Sequence, residues 1–143
     1  MLVFLAGKID GLSWDEANGW REKASFLLKQ ADENIKCYNP LKNVPDLYGK
    51  EVLYLYRSRY QSDAIAANQF YIKKADIILV NLERIDAKGT YVEIGFARAL
   101  DKIIVAFGKD NKNIFFIQKW VTIFFNTLEE AVNFILDLER GGM

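Results

Sequence analysis

The sequence contains no histidine. Imidazole is the commonest general base and metal ligand near neutral pH, so His-based triads, His general bases and His metal sites are excluded together. A single cysteine, Cys37, excludes an intramolecular disulfide framework, and alone it leaves no ligand set for a structural zinc. No metal and no cofactor is therefore expected. Lys plus Arg and Asp plus Glu both number 19, so the net charge is zero. The broad cationic face that grips a nucleic acid polymer is not expected. No apolar run reaches the roughly 18 residues of a membrane-spanning helix, so no membrane partner is expected. The opening MLVFLAGKID has no basic n-region, so no signal peptide and a cytoplasmic location are expected. The only prolines, Pro40 and Pro45, fall together with Gly49 in residues 39–50, which reads as a loop.

What is present is an ordinary globular chain. Its 143 residues suit one domain, 1–143, with 51% apolar and 27% charged side chains. Leu2–Ala6 is a short apolar run stopped by Gly7, a buried strand and then a turn. A helix follows, capped by Ser13 or Asp15, with Trp20, Ala24, Leu27, Leu28 and Ala31 at helical spacing. Ile35–Tyr38 reads as a strand closed by Asn39-Pro40, and residues 51–74, free of Gly and Pro, as helix in one or two pieces. Strand, helix and strand follow at Asp76–Leu82, Thr90–Leu100 and Lys102–Phe107, then a short helix near 113–119. Val121–Phe125 closes the strands and Thr127–Glu139 the helices, with Thr127 and Glu130 spaced as a capping box. Such alternation implies right-handed βαβ units. The expected fold is a flavodoxin-like or Rossmann-like three-layer α/β/α sandwich on a mostly parallel sheet of about five strands. Ligands of such sheets lie beyond the carboxyl ends of the strands. The candidate places are Gly7 to Ser13, Asn81 to Thr90 and Gly108 to Asn113.

Lys88-Gly89-Thr90-Tyr91-Val92-Glu93-Ile94-Gly95 carries two compatible readings. Thr90 and Glu93 have capping-box spacing. The same geometry places the Glu93 carboxylate in a first helical turn beyond a buried strand, where a helix N-terminus favours negative charge. A held, ionised carboxylate there can attack a sugar anomeric carbon. The loop Gly7-Lys8-Ile9-Asp10-Gly11-Leu12-Ser13 is neither a P-loop nor GxGxxG, and reads as a plain turn or as a backbone cradle for a sugar hydroxyl or phosphate. Asn81 reads as a loop tie, and Asp86 as loop solubility or an acid/base partner of Glu93. Among the aromatics Trp14, Trp20, Tyr54, Tyr56, Tyr60, Phe70 and Tyr71, most read as core or interface, with one or two free to stack on a planar base. Ile114–Ile117 and Phe124-Phe125 suggest a subunit interface. Arg57, Arg59, Lys73 and Lys74 read as solvated faces and Cys37 as core.

Four separated segments resemble the nucleoside 2-deoxyribosyltransferase superfamily, in its order and spacing: FLAGKIDGLSWDEANGWR (Phe4–Arg21), CYNPLK (Cys37–Lys42), IKKADIILVNL (Ile72–Leu82) and GTYVEIGFARALDKIIVAF (Gly89–Phe107). The resemblance implies a double displacement in which Glu93 attacks C1′ of a 2′-deoxynucleoside, releases the base, and yields the sugar to a second base or to water. It also implies departures. Phe4 stands where family members carry a tyrosine, and Asn68 where they carry an aspartate that handles the base proton; Asp63 is a nearby substitute. Asn111 and Asn113 are the nearest counterparts of a carboxyl-terminal Asn that reaches into a neighbouring subunit's site.

The expected function is N-deoxyribosyl transfer between bases, with Glu93, Asp86, Asn68 and Asp63 as catalytic candidates. Phe4, Ala6, Gly7, Lys8, Ile9, Asp10, Gly11, Ser13, Trp20, Asn81, Gly89, Thr90, Asn111 and Asn113 are the substrate-binding candidates. Expected partners are a small 2′-deoxynucleoside or its monophosphate, a free base, and further copies of the chain in a homodimer or larger homo-oligomer. The alternatives are a hydrolase of deoxynucleoside 5′-monophosphates and a nucleotide-binding module without catalysis.

Overall fold

A computed structural model describes residues 1–44, 47–54, 61–84, 86–108 and 114–141, with the backbone alone at Asn43. The chain runs β1 (Leu2–Gly7), α1 (Trp14–Ala31), β2 (Lys36–Tyr38), a 3₁₀ turn (Pro40–Asn43), α2 (Gln61–Lys74), β3 (Ile77–Asn81), α3 (Lys88–Ala99), β4 (Ile103–Phe107), α4 (Phe115–Trp120), β5 (Ile123–Phe125) and α5 (Leu128–Glu139). All four strand pairings are parallel, in the order β2-β1-β3-β4-β5.

The inner strands are apolar runs because both of their faces are covered. Their alternate side chains feed two cores. Val3, Leu5, Ile77, Leu79, Val105 and Phe107 pack with Ala24 and Leu28 of α1 and with Ala131 and Ile135 of α5. Phe4, Ala6, Ile78, Val80, Ile104 and Ala106 pack on the other side with Ile72 of α2, Ile94 and Ala97 of α3, and Ile117 of α4. The edge strands β2 and β5 are three residues each, short enough to offer little to another chain's edge. Cys37 is half-buried against the first core. Among the described residues no helix is long and apolar enough to cross a membrane.

Helix starts follow the capping chemistry at two sites and depart from it at a third. Ser13 caps α1 and Thr127 caps α5, each in a full capping box with the glutamate three residues on. The expected box at Thr90 and Glu93 does not form. Helix α3 begins at Lys88, with Ala87 as an N-cap that makes no side-chain bond. Thr90 is therefore already inside the helix, and Glu93 is released for other contacts. Helix is also shorter than expected before β3. Of residues 51–74 only Gln61–Lys74 is helical among those described, while 51–54 form loop. There the Leu53 N–H donates to Leu12 O at 2.7 Å and the Gly11 N–H to Leu53 O at 2.8 Å, so this backbone pairs with the loop after β1 instead. Pro45, Tyr56, Arg57, Arg59, Tyr60, Asn111 and Asn113 lie outside the described residues.

The strand order reverses between β1 and β3: the chain leaves β1 for β2 on one side, and β3 leads on to β4 and β5 on the other. The connections from β1 and β3 therefore part, and a crevice opens at their carboxyl ends.

Candidate active site

A cleft of about 500 Å³ occupies that crevice. Gly7, Lys8, Ile9 and Asp10 form one wall, and the start of α3 with Asp86 and Ala87 forms another. Ile65, Asn68, Gln69 and Ile72 of α2 close the third side. Gly7 is a glycine for reasons of space. A Cβ there would lie 2.8 Å from Trp20 Cζ2 and 3.3 Å from Asn81 Cβ. Asp86 has φ 61°, a left-handed conformation that turns the chain from β3 into α3.

Glu93 lines this cleft from the second turn of α3. Burial pushes its carboxyl group up to about 7, opposed by the positive charge of Arg21. The group therefore changes charge near neutral pH. Asn68 of α2 donates from Nδ2 to Glu93 Oε2 at 3.4 Å, a long and therefore weak bond that links α2 to the carboxyl group. The other end of that amide, Oδ1, is buried with no partner among the described residues.

Arg21 is fully buried and also lines the cleft. It donates from Nε to Leu5 O at 3.4 Å and from Nη2 to Gly7 O at 2.9 Å, both on β1, and from Nη1 to Ala17 O on α1. Its guanidinium lies 4.8 Å from the Trp20 ring centroid. Burial lowers its pKa to about 10, so it stays charged at neutral pH. Tyr38, at the end of β2, is sandwiched between Phe4 at 5.4 Å and Tyr71 at 3.9 Å, centroid to centroid. Burial first, then Tyr71 and Glu93, push its phenol up to about 12.

The structure brings together on the lining Glu93, Asp86, Asn68, Gly7, Lys8, Ile9, Asp10, Gly89 and Thr90. It places the other described candidates elsewhere. Phe4 and Ala6 are fully buried in the sheet's second core. Gly11 is exposed in the loop with φ 84°. Ser13 is spent on capping α1, and Trp20 packs edge-on against Phe107 beneath Gly7. Asn81 Oδ1 accepts the Glu83 N–H at 2.8 Å, the loop tie that is the commoner use of such a residue. Asp63 is exposed on the first turn of α2, off the lining. Sequence reasoning passed over Arg21 and Tyr38. In the sequence Arg21 resembles a solvated helix charge, though it falls in an apolar register with Ala17, Ala24 and Leu28. Tyr38 resembles one more core aromatic, with no local signal to set it apart.

The fold is shared with known structures. The 2-desoxiribosyltransferase from Leishmania mexicana is similar with a TM-score of 0.62 and 18% identity, over 96% of this chain and 97% of that one. The CMP N-glycosidase BcmB of Clostridium botulinum gives a TM-score of 0.57 and 17% identity, over 94% of this chain and 98% of that one. A conserved protein from Enterococcus faecalis V583 gives 0.55 and 19%, over 94% and 87%. Among curated proteins none matches this chain. The sequence profile of one family, however, matches residues 3–138. With nearly its whole length so matched, the chain belongs to the nucleoside 2-deoxyribosyltransferase family.

Proposed function

We propose that this protein breaks and re-forms the N-glycosidic bond of a nucleoside by double displacement on Glu93, as an N-deoxyribosyltransferase of 2′-deoxynucleosides. The observation that carries this reading is the position of Glu93: a half-buried carboxyl group on the lining of the switch-point cleft, contacted by Asn68. In the first step a Glu93 oxygen bonds to C1′, the C1′–N bond breaks, and its electron pair leaves on the base nitrogen, which takes up a proton. In the second step a base nitrogen gives up its proton and bonds to C1′, and the C1′–O pair returns to Glu93. Both transition states carry positive charge on the sugar, which a neighbouring carboxylate stabilises. Asp86, a carboxyl group on the same lining, supports the reading in which it handles the base proton; Asp63 is exposed and off the lining. The exposed Phe115 and Phe116 on α4 suit contact with a further copy of the chain.

Hydrolysis is the second reading, with water in place of the second base. Lys8 and Lys88 on the lining suit a 5′-monophosphate, and the similar structure from Clostridium botulinum is that of a CMP N-glycosidase. Chromatography separates the cases. The purified protein is incubated with each 2′-deoxynucleoside, and each monophosphate, with and without a second free base. A new nucleoside that forms only when the acceptor is present is the expected result. Free base and free sugar regardless of acceptor means hydrolysis. No turnover of any substrate, with saturable binding, means a nucleotide-binding module.

A further inference from the structure

Arg21 is a buried cation without a close carboxylate among the described residues. Its nitrogens go to three neutral carbonyls, Leu5 O and Gly7 O on β1 and Ala17 O on α1, and it forms no salt bridge to any described acid. A buried charge is costly unless an opposite charge offsets it. The carbonyls accept one N–H from each nitrogen but carry no net charge. The half-buried acid that shares its cleft is Glu93. Bonded to backbone carbonyls on two elements and not to Glu93, the guanidinium acts on that carboxyl group through space.

That arrangement bears on one step of the reaction proposed above, and rests on that reading. When Glu93 is free and ionised, its charge offsets that of Arg21. When Glu93 carries the sugar it is a neutral ester, and the buried Arg21 cation loses that offset. Release restores the balance: the acceptor's lone pair bonds to C1′, the C1′–O electron pair returns to Glu93, and the anion reappears facing Arg21. We propose that Arg21 is a positioning residue that acts through Glu93, a backbone-tethered cation that favours the free carboxylate over the glycosyl ester and so speeds turnover of the ester. Other groups around Glu93 do not do this. The Tyr38 phenol from β2 and the Asn68 amide from α2 are neutral, and the lining's two lysines, Lys8 and Lys88, are equal in number to its two aspartates, Asp10 and Asp86.

The test replaces charge while keeping hydrogen bonding. Arg21→Gln is neutral and Arg21→Lys is cationic; Arg21→Met, of similar length, is the second neutral variant should Arg21→Gln not fold. Quenched samples of each are weighed for the ester on Glu93, and kcat/KM is followed against pH. The neutral variant should hold the ester about ten times longer, lower kcat together with KM, and move the pH inflection up by about one unit, a unit being tenfold in the ionisation equilibrium. Arg21→Lys should stay near the parent in all three. A folded neutral variant with unchanged ester lifetime and inflection overturns the proposal and leaves Arg21 a structural tie. Turnover with no ester on Glu93 in the parent protein overturns the reading of Glu93 itself, and this proposal with it.

Discussion

Replacing Glu93 with glutamine should stabilise the protein, and only at higher pH. The carboxyl group titrates at about 7 in the folded chain against an ordinary 4.5, with desolvation the main cause. The folded state thus holds this proton more tightly than the unfolded state does. A raised carboxyl pKa costs stability as pH rises from the unfolded value through the folded one, and the full cost is present above it. The gap corresponds to about 3 kcal/mol, with Arg21's opposing pull already included. Glutamine has no proton to lose and nearly the same shape as the protonated acid. Its advantage should therefore be near zero at about pH 4.5 and about 3 kcal/mol at about pH 8.5, or about 10 °C in Tm for a chain of this size. Urea unfolding of both proteins at the two pH values measures it, because every other titrating group cancels in the difference. An advantage equal at both pH values, or larger at the lower one, would refute the claim that Glu93 sits desolvated in the cleft.

Three further outcomes are expected. The kcat/KM profile should rise with pH through an inflection near 7, as the nucleophile ionises; a profile flat from about pH 5 to 9 contradicts that assignment. Gly7→Ala should cost about 1–3 kcal/mol by overpacking, because its Cβ would meet Trp20 Cζ2 at 2.8 Å, and thermal melts read the loss directly. Thr127→Ala should cost about 1 kcal/mol through loss of the α5 cap, measured by the same melts, with activity unchanged since Thr127 is not on the cleft.

The architecture was legible because its signals are local. Buried parallel strands such as Ile77–Asn81 announce themselves as apolar runs, and Thr127 with Glu130 marks a helix start by spacing alone. The alternation of strand and helix then leaves few topologies, and the switch point follows from them. The errors share one cause, competition between a local pattern and a tertiary partner. Thr90 and Glu93 have the spacing of a capping box, yet α3 starts at Lys88 and Glu93 meets Asn68 from another helix. Leu53 lies in a stretch free of helix breakers, yet its backbone pairs with Gly11 and Leu12. Within the cleft, Glu93 and Asn68 could be named from motif and resemblance. Arg21 could not, because its role depends on β1 carbonyls that reach it only in the folded chain. The same holds for Tyr38, whose place is set by rings on β1 and α2.

The central claim is a covalent bond between Glu93 and a sugar, and one measurement addresses it directly. The protein is mixed with substrate in the absence of an acceptor base, quenched in acid within the first turnovers, digested, and the peptide containing Glu93 is weighed and fragmented. The account predicts a mass gain of one sugar residue on Glu93, which disappears when an acceptor base is added before the quench and is absent from Glu93→Gln. Base release at full rate with that peptide unmodified at every time point, or an active Glu93→Gln protein, would contradict it.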